Sequence, residues 1–309
     1  MDVRTARGLV PAGLTASPAL TDDDAQRWLR DLPDLLVAWC ERWGLRVGED
    51  DEDTAPAHGA HALVLPVRRG GQPCVLKLSH RGDDTLGEVI ALRAWAGRGA
   101  VRLLDSDDGG DVLLLERLDA TRTLSSCPPG DLGGVVGRLV RELAVPAPAG
   151  TTTARSQAAA IAGGVAERQH RQGNPLPERW VRDAVRRAEH LRDGGDGGDV
   201  LVHADLTPDN VLWRPATGTT PGRWVVIDPK PVAGPPERAL PELLWTLADH
   251  PAARDVRGLL RTVCAAGDLD EGRARDWVVA RTVDYWLWAH AVGLTTDPVR
   301  CHRVLTALG

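Results

Sequence analysis

Residues 203–210 read His-Ala-Asp-Leu-Thr-Pro-Asp-Asn, the most informative segment of the chain for its fold. Its spacing is H-x-D-x-x-x-x-N, in which Asp205 can accept a proton and Asn210 can offer an amide oxygen to a metal ion. With nine histidines, 43 acids and only two asparagines in 309 residues, about 0.008 such matches are expected by chance. The spacing is therefore a moderately specific signal of a catalytic loop.

A second acid follows this loop. Residues 211–213 and 224–227 are short apolar runs separated by a turn rich in Pro, Gly and Thr, and Asp228 ends the second run. Two strands joined by such a turn predict a hairpin, which returns the chain and places Asp228 beside Asn210. Carboxylate and amide oxygens are hard ligands that suit magnesium. His203 is expected to hold the loop rather than take part in chemistry.

Upstream, Lys77 is one of only two lysines and lies in the apolar run Cys-Val-Leu-Lys-Leu at 74–78. A strand lysine of this kind can contact the α- and β-phosphates of ATP. Glu88 lies eleven residues on, in a predicted helix, and is expected to pair with Lys77. A lysine, then the loop, then a strand-terminal Asp is the order typical of protein-kinase-like phosphotransferases. In that reading Asp205 is the catalytic base.

The N-terminal part, residues 1–118, is predicted to be a nucleotide-binding lobe with preceding helices. Strands are expected near 44–50 and at 62–68, 73–79, 101–104 and 112–115, giving a five-stranded sheet packed with a helix at 85–96. Pro33 is expected to split the preceding stretch into two helices. The backbone at Glu116 and Leu118, where the lobes meet, is expected to bind adenine. Residues 54–61 hold one glycine and no G-x-G-x-x-G.

Residues 119–309 are predicted to be a mainly helical lobe with the catalytic loop and the acceptor site. Helices are expected near 132–143, 155–171 and 177–192, and three more after residue 241. The glycine-rich segment 194–198 is expected to be a hinge. The fold class is therefore α+β.

Composition limits the class of partner and the compartment that we expect for the protein. The net charge of −6 argues against a nucleic-acid binder and is compatible with a cationic ligand. The five cysteines show no C-x-x-C pair, which favours free thiols in a reducing cytoplasm. No apolar run approaches a membrane-spanning length and the N-terminus lacks a signal-peptide pattern. We expect a cytoplasmic protein, and a monomer.

Several short motifs resemble those of a known protein family. They are Val-Leu-Pro-Val-Arg at 64–68, Leu-Lys-Leu at 76–78, Leu-Arg-Ala-Trp at 92–95, Gly-Ala-Val-Arg-Leu-Leu-Asp at 99–105, Leu-Leu-Glu-Arg-Leu-Asp at 114–119, His-Ala-Asp at 203–205 and Ile-Asp-Pro-Lys-Pro at 227–231. Together they resemble the aminoglycoside phosphotransferase family, most closely its branch of streptomycin 6-phosphotransferases and hydroxyurea phosphotransferases. The chain departs from relatives in Ala62, in Thr207, and at 234–239, which lacks their Gly-Asp-Pro-x-x-Asp.

The resemblance implies a protein-kinase-like bilobal fold that uses ATP and magnesium. It implies Asp205 as the catalytic residue, Asn210 and Asp228 as metal ligands, and Lys77 as the phosphate-binding lysine. The implied acceptor is a hydroxyl on the streptidine ring of streptomycin, with antibiotic inactivation as the result.

A cationic aminoglycoside needs carboxylates around it, and Asp284 and Glu237 are the predicted substrate-binding acids. The C-terminal helices offer three further candidates, which are Glu242, Asp249 and Asp276. Helix-core aromatics and ordinary surface charges would explain the same residues. A kinase for another hydroxyl compound, such as hydroxyurea or a metabolite, remains an alternative, because a neutral acceptor needs no acidic cleft. A nucleotide-binding pseudokinase module is a third reading, against which the complete set of catalytic residues argues.

Overall fold

The computed structural model describes residues 1–48, 55–80, 85–194 and 199–309. The chain forms two compact units, of which unit 1 comprises Met1–Gly97 and Val101–Leu118, and unit 2 comprises Arg98–Ala100 and Asp119–Gly309. Strands and helices are both abundant, which confirms the α+β class. None of the described helices is long and apolar enough to cross a membrane.

Unit 1 contains an antiparallel sheet with the strand order β1-β3-β4-β6-β5, with β2 paired to β3. Its strands are β1 (Leu45–Arg46), β2 (Ala57–His58), β3 (Ala62–Arg69), β4 (Gln72–Ser79), β5 (Leu103–Ser106) and β6 (Val112–Glu116). The β3–β4 hairpin is confirmed, and Gly70 and Gly71 turn it with φ of 57° and 82°, as a two-residue hairpin loop requires. The described residues give six strands instead of the predicted five, because β2 was not predicted.

The helices of unit 1 are α1 (Val3–Gly8), α2 (Ala12–Thr15), α3 (Asp23–Trp43) and α4 (Thr85–Trp95). The prediction that Pro33 splits the second stretch is wrong, since α3 is continuous through it. An interior proline costs about 3 kcal/mol. Pro33 is buried beside Leu32 and Leu36, which share one apolar core with the sheet residues Leu63 and Leu76. Burying each leucine contributes about 1.5–3 kcal/mol, which offsets that cost.

Unit 2 is mainly helical, as predicted. Its helices are α5 (Pro129–Leu143), α6 (Ala154–Arg171), α7 (Glu178–Asp193), α8 (Leu240–Thr246), α9 (Val256–Gly267), α10 (Glu271–Ala291) and α11 (Thr296–Leu308). The three helices predicted after residue 241 are α9 to α11, and the short α8 was not predicted. Of the proposed hinge at 194–198, residues 195–198 lie outside the described residues.

Two small antiparallel sheets of unit 2 carry the catalytic loop. One has the order β10-β9-β7, and the other pairs β8 with β11. Their strands are β7 (Asp119–Thr123), β8 (Val200–His203), β9 (Val211–Arg214), β10 (Arg223–Val226) and β11 (Pro231–Gly234). The loop with Asp205 leaves β8 and enters β9, so both of its ends are fixed by sheet pairing.

All five cysteines are free and buried, in agreement with the expectation from sequence. Cys40 and Cys74 belong to unit 1, and Cys127, Cys264 and Cys301 belong to unit 2. The thiols therefore contribute to the cores as small apolar groups.

Candidate active site

His203 fastens the catalytic loop to the hairpin that follows it. The ring is fully buried, its Nε2 lies 2.9 Å from the backbone oxygen of Ile227, and its Nδ1 accepts a hydrogen bond of 3.2 Å from the Asp205 N–H. Burial lowers the pKa of His203, so the ring is neutral with its proton on Nε2. The side chain thus fixes the backbone of Asp205, and its expected structural role stays a prediction.

Asn210 is held against the same loop. Its Nδ2 donates a hydrogen bond of 2.9 Å to the backbone oxygen of Asp205, and its own backbone oxygen accepts one of 2.9 Å from Ile227. The β9–β10 register pairs Val211 with Val226, so the predicted hairpin is present. The structure therefore brings the backbone of Asp205, Asn210 and the residue before Asp228 together, as the sequence predicted.

Asp228 has a left-handed backbone conformation, with φ of 51°. A non-glycine residue in this region stores strain of about 1–3 kcal/mol, and such strain concentrates at functional sites. The conformation turns the chain sharply just beyond β10. Asp228 lies two residues beyond Val226, the last residue of β10.

Asn210 and Asp228 fit a magnesium ion by the chemistry of their donors. The amide nitrogen of Asn210 is occupied, which orients the amide so that its Oδ1 remains as an acceptor among the described residues. Magnesium prefers oxygen ligands and takes few of them from protein. The described residues contain no group of three or more His, Cys, Asp or Glu that could hold a metal ion.

The Asp205 carboxylate lies near a flexible cation. Lys230 Nζ is 3.8 Å from Asp205 Oδ2, and its side chain is 59% exposed. Burial raises the pKa of Asp205, while Lys230 and His203 oppose that shift and Glu242 and Asp228 add to it. A carboxylate with a raised pKa is a stronger proton acceptor than an ordinary one, as a general base needs.

In unit 1, Lys77 lies in the middle of β4, opposite Val64 on β3 and Leu113 on β6. Its Nζ is 2.7 Å from Oε2 of Glu88 on α4, and the two side chains are only 10% and 6% exposed. The ion pair predicted from the eleven-residue spacing is therefore present. It fixes a buried ammonium on the central strands, while the contact of Lys77 with phosphate stays a prediction.

Glu116 and Leu118 lie at the end of unit 1. Glu116 closes β6, where its backbone N–H donates to the oxygen of Arg102 and its Oε1 accepts from the N–H of Arg102. Leu118 is the last residue of the unit. Their predicted role in binding adenine stays a prediction. Of the segment 54–61, which lacks a G-x-G-x-x-G, Thr54 lies outside the described residues and Ala57–His58 form β2.

The two predicted substrate-binding acids are engaged by arginines. Asp284 is bonded by Arg168 and Arg281. Glu237 is 3% exposed, accepts a hydrogen bond of 2.8 Å from the Asp270 N–H and lies 3.8 Å from Arg273. The Asp284 carboxylate is thus held by two arginines, whereas Oε2 of Glu237 is buried without a hydrogen bond among the described residues. Their role in substrate binding stays a prediction.

Sequence reasoning missed the buried charge network around Glu242. Arg238 Nη1 donates to Glu242 over 2.9 Å, and Arg281 Nη2 reaches the same carboxylate over 2.9 Å. These contacts leave Glu242 4% exposed with a pKa below its ordinary range, because the two arginines outweigh its burial. The i, i+4 spacing of Arg238 and Glu242 was the local signal, but nothing local pointed to Arg281.

Three aromatic side chains of α8 and α10 form a stack. Tyr285 lies between Trp245 and Trp288, at centroid distances of 4.6 and 5.4 Å and interplanar angles of 6° and 29°. Its hydroxyl donates to Asp297 over 2.9 Å. Trp245 is buried and Trp288 is 50% exposed. The stack therefore belongs to the core at one end and meets solvent at the other.

Comparison with known proteins agrees with the motifs. The family model of the aminoglycoside/hydroxyurea antibiotic resistance kinases matches residues 47–293. A hydroxyurea phosphotransferase from Kitasatospora aureofaciens is 38% identical over 281 residues, covering 89% of this chain and 78% of that protein. A streptomycin 6-kinase from Streptomyces glaucescens is 36% identical over 288 residues, covering 90% of each.

Solved structures show the same fold. A thermostable mutant of the aminoglycoside phosphotransferase APH(4)-Ia, in a ternary complex with ADP and hygromycin B, is similar with a TM-score of 0.56 and 16% identity, covering 88% of this chain and 97% of that chain. At that identity the likeness concerns the fold alone. It confirms the protein-kinase-like fold expected from the catalytic loop.

Proposed function

Because the chain belongs to the aminoglycoside/hydroxyurea antibiotic resistance kinase family, and is thus a phosphotransferase with an alcohol group as acceptor, we propose that it is an ATP- and magnesium-dependent kinase of an aminoglycoside. The leading acceptor is streptomycin, whose phosphorylation would inactivate the antibiotic. The observation that carries the proposal is the fixed arrangement of Asp205, Asn210 and the strand end before Asp228.

The chemistry assigned to the residues is simple. Asp205 accepts the proton of the acceptor hydroxyl, and the acceptor oxygen forms a bond to the γ-phosphorus. At the same time the bond between that phosphorus and the β–γ bridging oxygen breaks, which releases ADP. Lys77 is assigned to the α- and β-phosphates, and Glu88 keeps its ammonium in place. Asn210 and Asp228 are assigned to magnesium, which supplies neutralising charge to the phosphate oxygens when bound.

Three further roles complete the proposal. The backbone at Glu116 and Leu118 is assigned to adenine. The partner is a small molecule rather than a nucleic acid, consistent with the net charge of −6. We also place the enzyme in the cytoplasm, in line with its five free cysteines, and propose that it acts as a monomer.

Hydroxyurea is the second candidate acceptor. The observation in its favour is the relative named hydroxyurea phosphotransferase, which is 38% identical over 89% of this chain. A pseudokinase role is disfavoured because Lys77, Asp205, Asn210 and Asp228 are all present.

The test is ADP release with MgATP and either streptomycin or hydroxyurea, with Asp205→Ala beside the wild type. We expect turnover of streptomycin at about 1–100 per second, and a loss of roughly 10²–10⁴-fold in the variant. Turnover of hydroxyurea alone would move the acceptor assignment to that compound. Absence of nucleotide binding by the wild type would refute the kinase proposal.

A further inference from the structure

Lys230 differs from most other cations of the chain in being a lysine. The sequence holds 37 lysines and arginines, of which only Lys77 and Lys230 are lysines. Lys77 makes the buried ion pair with Glu88, whereas exposed ion pairs such as that of Arg182 with Glu178 use arginine. Arginine is thus the ordinary surface cation of this protein, and a general need for surface charge does not explain a lysine at position 230.

The backbone of Lys230 is fixed against the catalytic loop. Its carbonyl oxygen accepts a hydrogen bond of 2.9 Å from the N–H of Ala204, which precedes Asp205. The next residue, Pro231, begins β11 and lies opposite His203 of β8. A second proline precedes the lysine, and both prolines are buried, so their rings restrict the backbone of this segment. The position of the lysine Cα is therefore set relative to Asp205.

The side chain of Lys230 is held only weakly. It is 59% exposed, and its Nζ lies 3.8 Å from Oδ2 of Asp205, which is too long for a hydrogen bond. Within the described parts of the chain, this ammonium makes no hydrogen bond and no other ion pair. An exposed contact of this kind contributes little to stability, and His203 and Asn210 already fix the loop. A structural salt bridge therefore does not account for the placement of this lysine.

The transferring phosphoryl group has to come close to this ammonium. An acceptor hydroxyl that gives its proton to Asp205 lies about 2.6–3.2 Å from the carboxylate, and the same oxygen lies about 3–3.5 Å from the phosphorus that it attacks. The phosphorus is then within about 7 Å of the Asp205 carboxylate. Because Lys230 Nζ lies 3.8 Å from that carboxylate on a flexible side chain, it can turn to a phosphoryl oxygen without movement of its backbone.

A cation at this position has a defined task in phosphoryl transfer. The γ-phosphoryl group carries negative charge on its three equatorial oxygens as it passes from ADP to the acceptor. A positive side chain that contacts these oxygens stabilises the transition state, and the arginine that does so in GTPases raises the rate by roughly 10³–10⁵-fold. A lysine ammonium is a compact point charge with rotatable donors, which suits contact with a single oxygen that moves during the reaction.

We propose that Lys230 is a catalytic residue that donates a hydrogen bond to an oxygen of the transferring γ-phosphoryl group, an assignment that rests on the function proposed above. The ammonium leaves Asp205 when the phosphoryl group binds and contacts that group in the transition state. Lys230 neither gains nor loses a proton, and the Asp205 carboxylate is left to accept the proton of the acceptor hydroxyl.

The first test measures binding in the absence of any acceptor. MgADP with aluminium fluoride mimics the transferring phosphoryl group, whereas MgADP alone lacks it. Lys230→Met and Lys230→Gln should weaken binding of the aluminium fluoride complex at least roughly tenfold, because a charged hydrogen bond is lost. The Kd of MgADP should stay within about twofold of wild type. Urea midpoints close to wild type should show that both variants are folded.

The control for this test is Arg182→Met. Arg182 lies in the same unit and, like Lys230, is an exposed cation that pairs with an acid. Its removal changes the net charge of the protein by the same amount as Lys230→Met. We expect the control to bind MgADP and the aluminium fluoride complex as the wild type does, so an equal loss in Arg182→Met would overturn a specific role for Lys230.

The second test measures turnover with whichever of streptomycin or hydroxyurea the wild type phosphorylates. Loss of a donor to a charged transition state lowers kcat by roughly 10²–10³-fold, and this is the loss expected for Lys230→Met. KM for the acceptor should remain at wild type, because the lysine contacts the phosphoryl group and not the acceptor. A loss confined to KM would overturn the assignment.

A third comparison separates direct contact from an effect through Asp205. Lys230→Met is introduced into an Asp205→Asn background, and binding of the aluminium fluoride complex is measured again. We expect the loss of affinity to persist, because the phosphoryl contact does not need the carboxylate. If Lys230→Met has no effect in that background, the lysine acts only through Asp205 and the proposed contact is refuted.

The outcomes keep the two proposals apart. If the wild type binds no MgADP, the kinase function and the role of Lys230 are both overturned. If the wild type binds nucleotide and both Lys230 variants match it in affinity for the aluminium fluoride complex, the role of Lys230 is overturned while the kinase function stands. Since this measurement needs no acceptor, it decides the role of Lys230 even if neither compound is phosphorylated.

Discussion

Replacing Glu88 by alanine should destabilise unit 1 far more than the loss of a surface charge. The change leaves the Lys77 ammonium, whose side chain is 10% exposed, without the carboxylate that lies 2.7 Å from it. Removing one member of a buried ion pair costs about 3–5 kcal/mol, because the remaining charge stays desolvated. Lys77→Met combined with Glu88→Leu removes both charges and should cost far less than the two single changes together.

The assay is urea unfolding of the single and double variants at neutral pH. Glu178→Ala is the control, because Glu178 and Arg182 form an exposed pair with side chains 79% and 70% exposed, and exposed pairs of this kind contribute about 0.3–0.5 kcal/mol. The reasoning is wrong if Glu88→Ala costs less than about 1 kcal/mol, or if the double variant costs as much as the sum of the single ones. Because Glu88 holds Lys77, Glu88→Ala should also raise KM for ATP.

Three other outcomes are expected. Asp228→Gly should keep the wild-type free energy of unfolding within about 1 kcal/mol, because relief of the strained left-handed backbone (φ 51°) offsets the greater entropy that glycine adds to the unfolded chain. Its kinase activity should fall at least roughly 100-fold, and a stable, active variant would show that Asp228 is not a metal ligand. Burial lowers the pKa of His203 in the folded protein, so below about pH 6.5 the unfolded chain binds a proton at this ring that the folded chain does not. The free energy of unfolding should therefore decrease as the pH is lowered, by up to about 1.4 kcal/mol per pH unit. Urea unfolding at pH 7.5 and 5.5 should show a smaller drop for His203→Gln, and an equal drop would contradict this origin. Arg281→Met leaves the Glu242 and Asp284 carboxylates undercompensated and should cost about 3–5 kcal/mol in unfolding free energy; a cost below about 1 kcal/mol would show that the network tolerates its loss.

The parts of the site that sequence predicted are encoded locally. The loop at 203–210 and the hairpin after it lie within 26 consecutive residues, so spacing and strand pattern suffice to place Asn210 near the end of β10. The pairing of Lys77 with Glu88 follows similarly from one strand and the helix after it. Short separations leave the chain few alternative arrangements.

What sequence missed depends on long-range partners. The arginines that hold Glu242 and Asp284 lie as far as 39 and 116 residues away along the chain, and no local pattern indicates such pairs. The two-residue strand β2 is too short to show alternation. The continuity of α3 through Pro33 depends on core packing, which outweighs the local preference of proline.

The five buried cysteines can serve as probes of unfolding in each unit of the enzyme. Burial raises the pKa of Cys40 to about 11 and those of Cys264 and Cys301 to about 12, so these thiols are poor nucleophiles while folded. An alkylating pulse during unfolding would therefore mark each thiol only after its surroundings open. Cys40 and Cys74 lie in one unit and the other three thiols lie in the second. Peptide mass spectrometry of the alkylated samples would therefore show the time at which each unit unfolds, without an engineered label.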